Sequence, residues 1–170
     1  QSTSNKKIPC KERRLISKVD SGLRNTLTVL SDAEIEEHVR NASLVLTPFD
    51  ATCLNGAGYD LRSESDVTIP PSQHRLVATL ERVELGDDIA ATLHIRSSLA
   101  RAGLIASLAL VDPGFRGQLT ILLYNASTEP FTLRKNDRFL QIVFHRLGMK
   151  TRRPYGGKYQ DSHGIVHARP

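Results

Sequence analysis

The feature that most constrains the fold of this sequence is a succession of short segments rich in Val, Ile, Leu and Thr, many of which alternate apolar and polar residues. Turn-forming stretches separate them, among them PPSQ at 70–73, LGDD at 85–88 and NASTEP at 125–130. A two-residue period puts successive side chains on opposite faces of a strand, and many short strands between regular turns are typical of sandwiches, jelly rolls and barrels. The sequence therefore predicts a mainly β fold.

Two segments depart from the strand pattern and predict helices. In LSDAEIEEHVRN, Ser31 and Glu34 have the spacing of a capping box, followed by apolar residues that share one face. This pattern predicts an N-terminal helix of roughly three turns. In RSSLARAG, we expect Ser97 to cap a short helical turn and Gly103 to end it in a left-handed conformation.

Length and charge indicate one domain preceded by a distinct segment. A chain of 170 residues is long enough to bury one core. The formal net charge is +5, and residues 1–25 alone carry seven Lys and Arg against two Asp and Glu, so nucleic-acid binding by the domain is not favoured. We expect a basic, flexible extension at 1–25 and a single domain at 26–170, whose residues 150–170, with paired Gly156 and Gly157, form a C-terminal arm.

The sequence also bears on location and on cysteine chemistry. No run of about 18 apolar residues is present, so a membrane span is not expected, and the polar first residues lack the apolar core of a secretory signal. Cys10 and Cys53 are the only cysteines and form no C-x-x-C motif. We therefore expect a cytoplasmic protein with two reduced thiols.

Several catalytic signatures are absent. There is no G-x-x-x-x-G-K-[ST] phosphate loop, no H-x-E with P-C-x-x-C of the zinc deaminases, and no G-x-S-x-G elbow. The six histidines show no H-E-x-x-H or other metal-ligand spacing. No set of protein ligands for a metal ion is predicted.

Two groups of polar residues remain as candidates for chemistry. In RSSLAR, two guanidinium groups and two hydroxyls, those of Arg96, Ser97, Ser98 and Arg101, fall within one turn and could bind a phosphate. Asp112 follows an apolar segment in VDPG, where a carboxylate could either act on a ligand or cap its own turn. Spacing alone favours the capping interpretation.

The sequence resembles the dUTPase and dCTP deaminase superfamily in five ordered motifs: GAGYDLRS, HIRSSLARAGL, LVDPGFRGQL, RFLQIVF and RPYGGKYQ. The opening LSDAEIEEHV with LTPFD, and KYQ near the C-terminus, resemble the deaminase branch. The resemblance implies a distorted jelly-roll, or β-clip, subunit that assembles as a homotrimer. It also implies active sites between subunits, with the C-terminal arm closing over a pyrimidine nucleotide.

The resemblance also implies roles for individual residues. The four residues of RSSLAR would hold the triphosphate, and Asp112 would activate the attacking water as in the dUTPases. Phe115 would lie against the deoxyribose and reject a 2′-hydroxyl. Three further residues would reach the phosphates, the sugar or the base, namely Gln141, Tyr155 and Lys158. Asp60 and Tyr159 would support the site.

One departure from the deaminase pattern decides the predicted reaction. In the deaminases a glutamate follows the turn acid by ten residues and shuttles protons at the cytosine C4, and here that position is Leu122. Because leucine carries no exchangeable proton, the sequence predicts a dUTP diphosphatase in which Asp112 activates water for attack at the α-phosphorus, with Mg²⁺ carried mainly by the triphosphate. Two alternatives stay open: a dCTP deaminase, alone or bifunctional, and a catalytically silent trimeric nucleotide-binding protein.

Overall fold

A computed structural model describes residues 28–168, so the extension predicted at 1–25 lies outside the described residues. The described part is mainly β, which confirms the predicted fold class, and it holds two α-helices and a 3-10 turn at Ala51–Cys53. The helices are α1 (Asp32–Arg40) and α2 (Ser97–Arg101). The strands are β1 (Thr28–Val29), β2 (Leu44–Thr47), β3 (Leu54–Asn55), β4 (Gly58–Arg62), β5 (Val67–Ile69), β6 (His74–Leu85), β7 (Ile89–Ile95), β8 (Leu104–Ser107), β9 (Arg116–Asn125), β10 (Phe131–Leu133) and β11 (Arg138–Arg146).

Two antiparallel sheets supply the core. In the first sheet β11 is central and pairs with β1, β4 and β7, while β3 extends the edge beside β4. The second sheet has the order β2-β6-β9-β8, and β5 pairs with β10 separately. Alternate side chains of both sheets meet in one apolar cluster, in which Tyr59 and Phe144 of the first sheet and Leu123 of the second are fully buried. The period-two pattern of the sequence is the cause of this arrangement.

Helix α1 begins with the capping box that the sequence predicts. The backbone N–H of Glu34 donates to Ser31 Oγ at 3.4 Å, and the backbone N–H of Ser31 donates to Glu34 Oε2 at 2.9 Å. This second hydrogen bond lowers the pKa of the Glu34 carboxyl. Ile35 is fully buried and attaches the helix to the core. The predicted helix is confirmed.

Helix α2 begins one residue earlier than the sequence suggests. Arg96, in an extended conformation, is the residue that precedes the first turn, and no side chain caps it, so the prediction of a Ser97 cap is wrong. The backbone N–H of Arg96 donates to the carbonyl of Phe139 at 3.2 Å, and this tie to the neighbouring strand fixes where the helix starts. Gly103 has a φ of +86°, which confirms the predicted left-handed end.

A bulge in β6 carries a buried ion pair. The register of β6 against β9 shifts between Ala78 and Arg82, and Glu81 lies within this interval with no exposed surface. Arg62 Nε donates to Glu81 Oε1 at 2.6 Å, and the Arg62 backbone N–H donates to Oε2 at 2.8 Å. Burial raises the pKa of Glu81, and the hydrogen bonds from Arg62 oppose that rise. A further bond of 3.0 Å from Arg62 to Asp50 ties the 3-10 turn to β4.

Candidate active site

The turn between β8 and β9 presents Asp112 at its surface. Just before it, the buried Val111 exchanges two backbone hydrogen bonds with Ala91 of β7, at 2.8 and 2.9 Å. Just after it, the backbone N–H of Phe115 donates to the carbonyl of Asp112 at 3.2 Å and closes the turn. The backbone on both sides of Asp112 is therefore held in place, while its side chain is exposed.

The Asp112 carboxylate has no partner within residues 28–168, since no hydrogen bond or ion pair reaches it there. Asp137 shows the contrasting arrangement, in which the carboxylate accepts a hydrogen bond of 2.8 Å from the backbone N–H of Arg134 and so caps its own turn. Asp112 makes no such bond in the described part of the chain. The capping interpretation therefore lacks its defining contact, and the carboxylate is available to a ligand.

An aromatic pair flanks this turn. The rings of Phe115 and Tyr155 meet edge to face with 5.6 Å between centroids, and the backbone N–H of Tyr155 donates to the carbonyl of Pro113 at 2.7 Å. Gly114 has a φ of +81°, and a Cβ at this position would lie 2.6 Å from the Cβ of Pro154. The turn and the C-terminal arm therefore approach each other as closely as a glycine allows.

A cavity of about 620 Å³ lies beside the turn and the arm. Asp112 is the only carboxylate among the described residues that line it. Leu76 and Leu122, directly opposite each other on β6 and β9, form part of an apolar wall, and Phe115 contributes an aromatic surface. The arm supplies another wall, which includes Tyr155 and Tyr159. Four predicted site residues therefore meet at this cavity: Asp112, Phe115, Tyr155 and Tyr159.

A second group of predicted residues lies on the first sheet. Arg96 Nε is 3.0 Å from Asp60 Oδ2, and Asp60 is almost fully buried. Gln141 of β11 is the direct neighbour of Asp60 on β4. Ser97, Ser98 and Arg101 follow Arg96 on the exposed side of α2. This arrangement joins two guanidinium groups, two hydroxyls and an amide, which is a set of groups suited to phosphate oxygens.

The two groups are not joined within one described chain, because none of the residues of the second group lines the cavity. Lys158 lies beside the first group, since its Nζ is 5.5 Å from the centroid of the Tyr159 ring. The structure thus assembles an acid with apolar and aromatic walls in one place and a group of guanidinium, hydroxyl and amide side chains in another.

Sequence reasoning missed three polar residues of these surroundings. Arg138 donates to the carbonyl of Thr52 at 2.9 Å and lies 4.0 Å from Asp60, which adds a guanidinium to the second group. Gln118 and Thr120 of β9 line the cavity and bond to the arm. The only available signal was their alternation with the core residues of β9, which indicates a face but not a partner.

Residues 28–168 show neither a metal-ligand cluster nor a helix that could span a membrane. No group of three or more His, Cys, Asp and Glu side chains there could hold a metal ion. No helix in that range is long and apolar enough to cross a membrane. Cys53 is the buried last residue of the 3-10 turn, and burial raises the pKa of its thiol.

Comparison with known proteins identifies the family. A sequence model described as dCTP deaminase-like matches residues 63–147. The chain is 45% identical over 141 residues to a dCTP deaminase of Pyrococcus horikoshii, covering 74% of this chain and 90% of the relative. The chain belongs to the dCTP deaminase-like family, within the dUTPase and dCTP deaminase superfamily.

Two further relatives bear on the reaction. A dCTP deaminase of Thermococcus gammatolerans is 43% identical over 153 residues, covering 81% of this chain and 94% of the relative. A protein of Sulfolobus islandicus rod-shaped virus 1, named a probable deoxyuridine 5′-triphosphate nucleotidohydrolase, is 33% identical over 156 residues. The match covers 83% of this chain and 98% of the relative. By this comparison the predicted dUTP diphosphatase is wrong, because the relatives at 40–47% identity are named dCTP deaminases. The names of these relatives favour a dCTP deaminase, which is one of the two alternatives left open by the sequence.

Solved structures support the fold alone. A dCTP deaminase of Agrobacterium tumefaciens superimposes with a TM-score of 0.64 at 17% identity, covering 71% of this chain and 49% of that chain. The native dUTPase of EIAV superimposes with a TM-score of 0.51 at 18% identity, covering 78% of this chain and 98% of that chain. Both branches of the superfamily therefore share the architecture described above.

Proposed function

We propose that this protein is a dCTP deaminase, which hydrolyses dCTP to dUTP and ammonia. The observation that carries the proposal is a cavity of about 620 Å³ whose only carboxylate, among the described lining residues, is Asp112. The support from outside the structure is the 40–47% identity to proteins named dCTP deaminase. A cavity of this volume is of the usual size for a small-molecule ligand.

The walls of the cavity suit a deoxynucleoside. Phe115 offers an apolar surface to the sugar, and a ribose would have to bury its 2′-hydroxyl there without a hydrogen-bond partner. Leu76 and Leu122 offer an apolar surface to a pyrimidine ring. In this arrangement the exposed carboxylate of Asp112 is directed to the polar edge of the base, where the reaction occurs.

In the proposed reaction Asp112 serves first as a base and then as an acid. Its carboxylate takes a proton from water while the water oxygen forms a bond to C4 of the cytosine. The same proton then passes to the exocyclic amino group, the C4–N4 bond breaks, and ammonia leaves. A water and a dCTP are thus converted to dUTP and ammonia with no other reactant. Leu122 offers no second proton carrier, so we expect a low rate.

The triphosphate is assigned to the second group of residues. Arg96 and Arg101 supply guanidinium groups, and Ser97, Ser98 and Gln141 supply neutral hydrogen-bond donors. Lys158 of the arm adds a positive charge. Mg²⁺ would arrive with the nucleotide and would neutralise part of its phosphate charge, because this small cation keeps most of its water and prefers phosphate ligands.

We assign a homotrimer to the functional protein. The two groups lie apart within one described chain, which supports a site that a neighbouring subunit completes. The cavity of one chain would then receive the base and sugar, and the Arg96 group of the next chain would receive the phosphates. Each oligomer of this kind carries one site at each interface.

The test supplies dCTP and Mg²⁺ to the purified protein and follows ammonia and pyrophosphate separately, with dUTP, dTTP and CTP as comparison substrates. We expect ammonia and dUTP from dCTP, and little from CTP because of the 2′-hydroxyl. Pyrophosphate from dUTP in the absence of any ammonia from dCTP would overturn the proposal. Tight binding of dCTP without either product would overturn it as well, in favour of a silent binding protein.

A further inference from the structure

One cross-strand row of the first sheet leads from the second group of site residues to a histidine. Asp60 of β4 is the direct neighbour of Gln141 on β11, and Gln141 is the direct neighbour of His94 on β7. Residues directly opposite each other on antiparallel strands have their side chains on the same face of the sheet. His94 therefore lies on the face that carries the second group, two residues before Arg96.

The His94 ring is held at one nitrogen and open at the other. Its Nε2 is 3.1 Å from Thr92 Oγ1, and no hydrogen bond reaches its Nδ1 in the described part of the chain. The ring is exposed. The neighbouring Gln141 side chain leans the other way, toward Gly58 of β4, where a Cβ would lie 3.3 Å from Gln141 Nε2. His94 thus presents one ring nitrogen to solvent beside the second group.

A single hydroxyl joins His94 to a second histidine. Thr92 Oγ1 is also 2.9 Å from Nε2 of His145 on β11. The hydroxyl has one proton and donates to only one of the two rings, so the other ring must donate its own Nε2–H. When His145 is the donor, a neutral His94 carries its proton at Nδ1, and a charged His94 carries one there in either arrangement. Nδ1 is thus able to donate to an anion.

The bond between His94 and Thr92 does not join two strands. Both residues belong to β7, whereas the bond from Thr92 to His145 crosses to β11. The contact that ties the two strands together is therefore complete without His94. An exposed ring that is oriented by its neighbour and bonds to no other strand is suited to a ligand.

The charges around His94 favour an anion. Arg96 Nε is 3.0 Å from Asp60 Oδ2 and Arg138 Nη1 is 4.0 Å from it, so two guanidinium groups share one carboxylate. The Arg62 side chain is turned toward Glu81 and does not enter this balance. The charged and titratable side chains that β4, β7, β11 and α2 contribute around His94 are Asp60, His145, Arg96, Arg101 and Arg138.

We infer that His94 is a further substrate-binding residue, which donates through Nδ1 to a phosphate oxygen of the nucleotide, and that Thr92 and His145 are positioning residues for its ring. The inference rests on the proposed function, which assigns the phosphates to the adjacent group. An imidazole is ordinarily charged below about pH 6.5. Because a phosphate favours the charged ring, binding takes up a proton in this range, and nucleotide affinity rises as the pH falls through it.

The first experiment measures binding by calorimetry, with a non-hydrolysable dCTP analogue and inorganic tripolyphosphate as probes. His94→Gln keeps a group that bonds to Thr92 but cannot become charged. Both probes should bind about tenfold more weakly to this variant than to the wild type at about pH 5.5, and only about twofold more weakly at about pH 8. The control is His74→Gln, which changes an exposed histidine of β6 in the second sheet and should leave both affinities unchanged.

The wild type and the variant are compared at the same pH, because a phosphate group itself gains a proton near about pH 6. Deoxycytidine, which has no phosphate, should bind equally to both proteins. Equal affinity of the wild type and His94→Gln for the probes at about pH 5.5 would overturn the inference. A loss of the same size at both pH values would overturn it as well, since it would assign His94 to packing or to assembly.

The second experiment tests how the ring is held. Tripolyphosphate added to the wild type should shift the ¹⁵N resonance of His94 Nδ1 and leave the His74 ring unchanged. Thr92→Val keeps the shape of the side chain and removes the hydroxyl shared by the two rings. Its affinity for the probes should lie between those of the wild type and His94→Gln. A His94 resonance that does not respond to tripolyphosphate would overturn the inference, and wild-type affinity in Thr92→Val would overturn the positioning role.

Kinetics with dCTP separate binding from chemistry. His94 lies outside the cavity that holds Asp112, so His94→Gln should raise KM at about pH 5.5 and leave kcat nearly unchanged. A fall in kcat at unchanged KM would overturn the inference. If the wild type binds the analogue but releases no ammonia, the proposed deamination fails, and the binding measurements still decide the role of His94. If the wild type binds neither probe, the assignment of the phosphates and this inference both fail.

Discussion

Arg62 and Glu81 form an ion pair with 2.6 Å between Nε and Oε1, and the Glu81 side chain has no exposed surface. A second hydrogen bond, from the Arg62 backbone, reaches the other oxygen of the same carboxylate. Thr79 Oγ1 donates to the carbonyl of Glu81, and the carbonyl of Thr79 accepts from Gln118. The ion pair therefore supports the strand to which the arm is joined.

Removing the guanidinium should be strongly destabilising. We expect Arg62→Met to lower the free energy of unfolding by about 3–5 kcal/mol, because the buried Glu81 carboxylate is left uncompensated. Urea denaturation measures the change. The matched control is Arg134→Met, which removes an exposed pair with Asp66 and should cost about 0–1 kcal/mol. Similar losses in the two variants would contradict the assignment of the buried pair.

Replacing the turn acid should separate chemistry from binding. Asp112→Asn keeps the size of the side chain but cannot take a proton, so we expect ammonia release to fall by about 10²–10⁴-fold. Binding of a non-hydrolysable dCTP analogue, measured by calorimetry, should persist. Asp87→Asn, which changes an exposed acid of another loop, is the control and should leave both quantities unchanged. A near-normal rate in Asp112→Asn would refute the mechanism.

Adding an acid at position 122 should raise the deamination rate. Leu122 lines the same cavity as Asp112, so Leu122→Glu places a second proton carrier beside the base. We expect ammonia release from dCTP to increase by about 10²-fold. Leu122→Gln has the same length without the proton and should give no increase. An equal effect of both substitutions would show that polarity, and not proton transfer, is what the site lacks.

The proposed assembly predicts a concentration-dependent activity. If a neighbouring subunit supplies the phosphate-binding group, sedimentation velocity should show a species of three chains at working concentration. Activity per chain should fall when the protein is diluted until the oligomer dissociates. A monomer that keeps full activity on dilution would be incompatible with a shared site.

Acid should release the arm. The Arg82 guanidinium donates to Asp161 at 2.7 Å, and together with Arg116 at 3.1 Å it lowers the pKa of the Asp161 carboxyl below its ordinary 3.8. A carboxyl whose pKa is lowered in the folded state stabilises that state above the ordinary pKa and ceases to do so as the pH falls through the lowered one. The protection of the arm amides, measured as their exchange relative to an unfolded peptide at the same pH, should therefore fall below pH 3.8, and Asp161→Asn should show faster arm exchange than the wild type already at neutral pH.

The β class, α1 and the left-handed Gly103 could be predicted because each depends on residues close together in sequence. The alternation of apolar residues specified the strands, and Ser31 with Glu34 specified the helix start. The prediction that Ser97 caps α2 was wrong, because the hydrogen bond from the Arg96 backbone N–H to the carbonyl of the distant Phe139 fixes the helix start at Arg96. Local propensity yields to a tertiary contact in such cases.

The candidate site could be predicted as a set of residues but not as an arrangement. The resemblance implied a site shared between subunits, and the described chain holds Asp112 and Arg96 in separate groups, but the contacts within each group came only from the structure. The contacts of Gln118 with Gly164 join residues 46 positions apart through a side chain and a backbone, and no periodicity reports such a pair. The predicted dUTP diphosphatase depended on a single residue, Leu122, and the names of the relatives contradict it.

The position of β11 has a consequence for how the molecule forms. This strand bonds to β1, β4 and β7, so the first sheet has no centre until residue 146 has been synthesised. Thr28 begins the first strand and Arg146 ends the last one, and the two are direct neighbours in that sheet. Such non-local pairing slows folding, and the earlier strands wait with their edges unpaired. During translation the second sheet, from β2 to β9, is therefore the first that can close, and nascent chains that stop short of β11 should be the ones that aggregate.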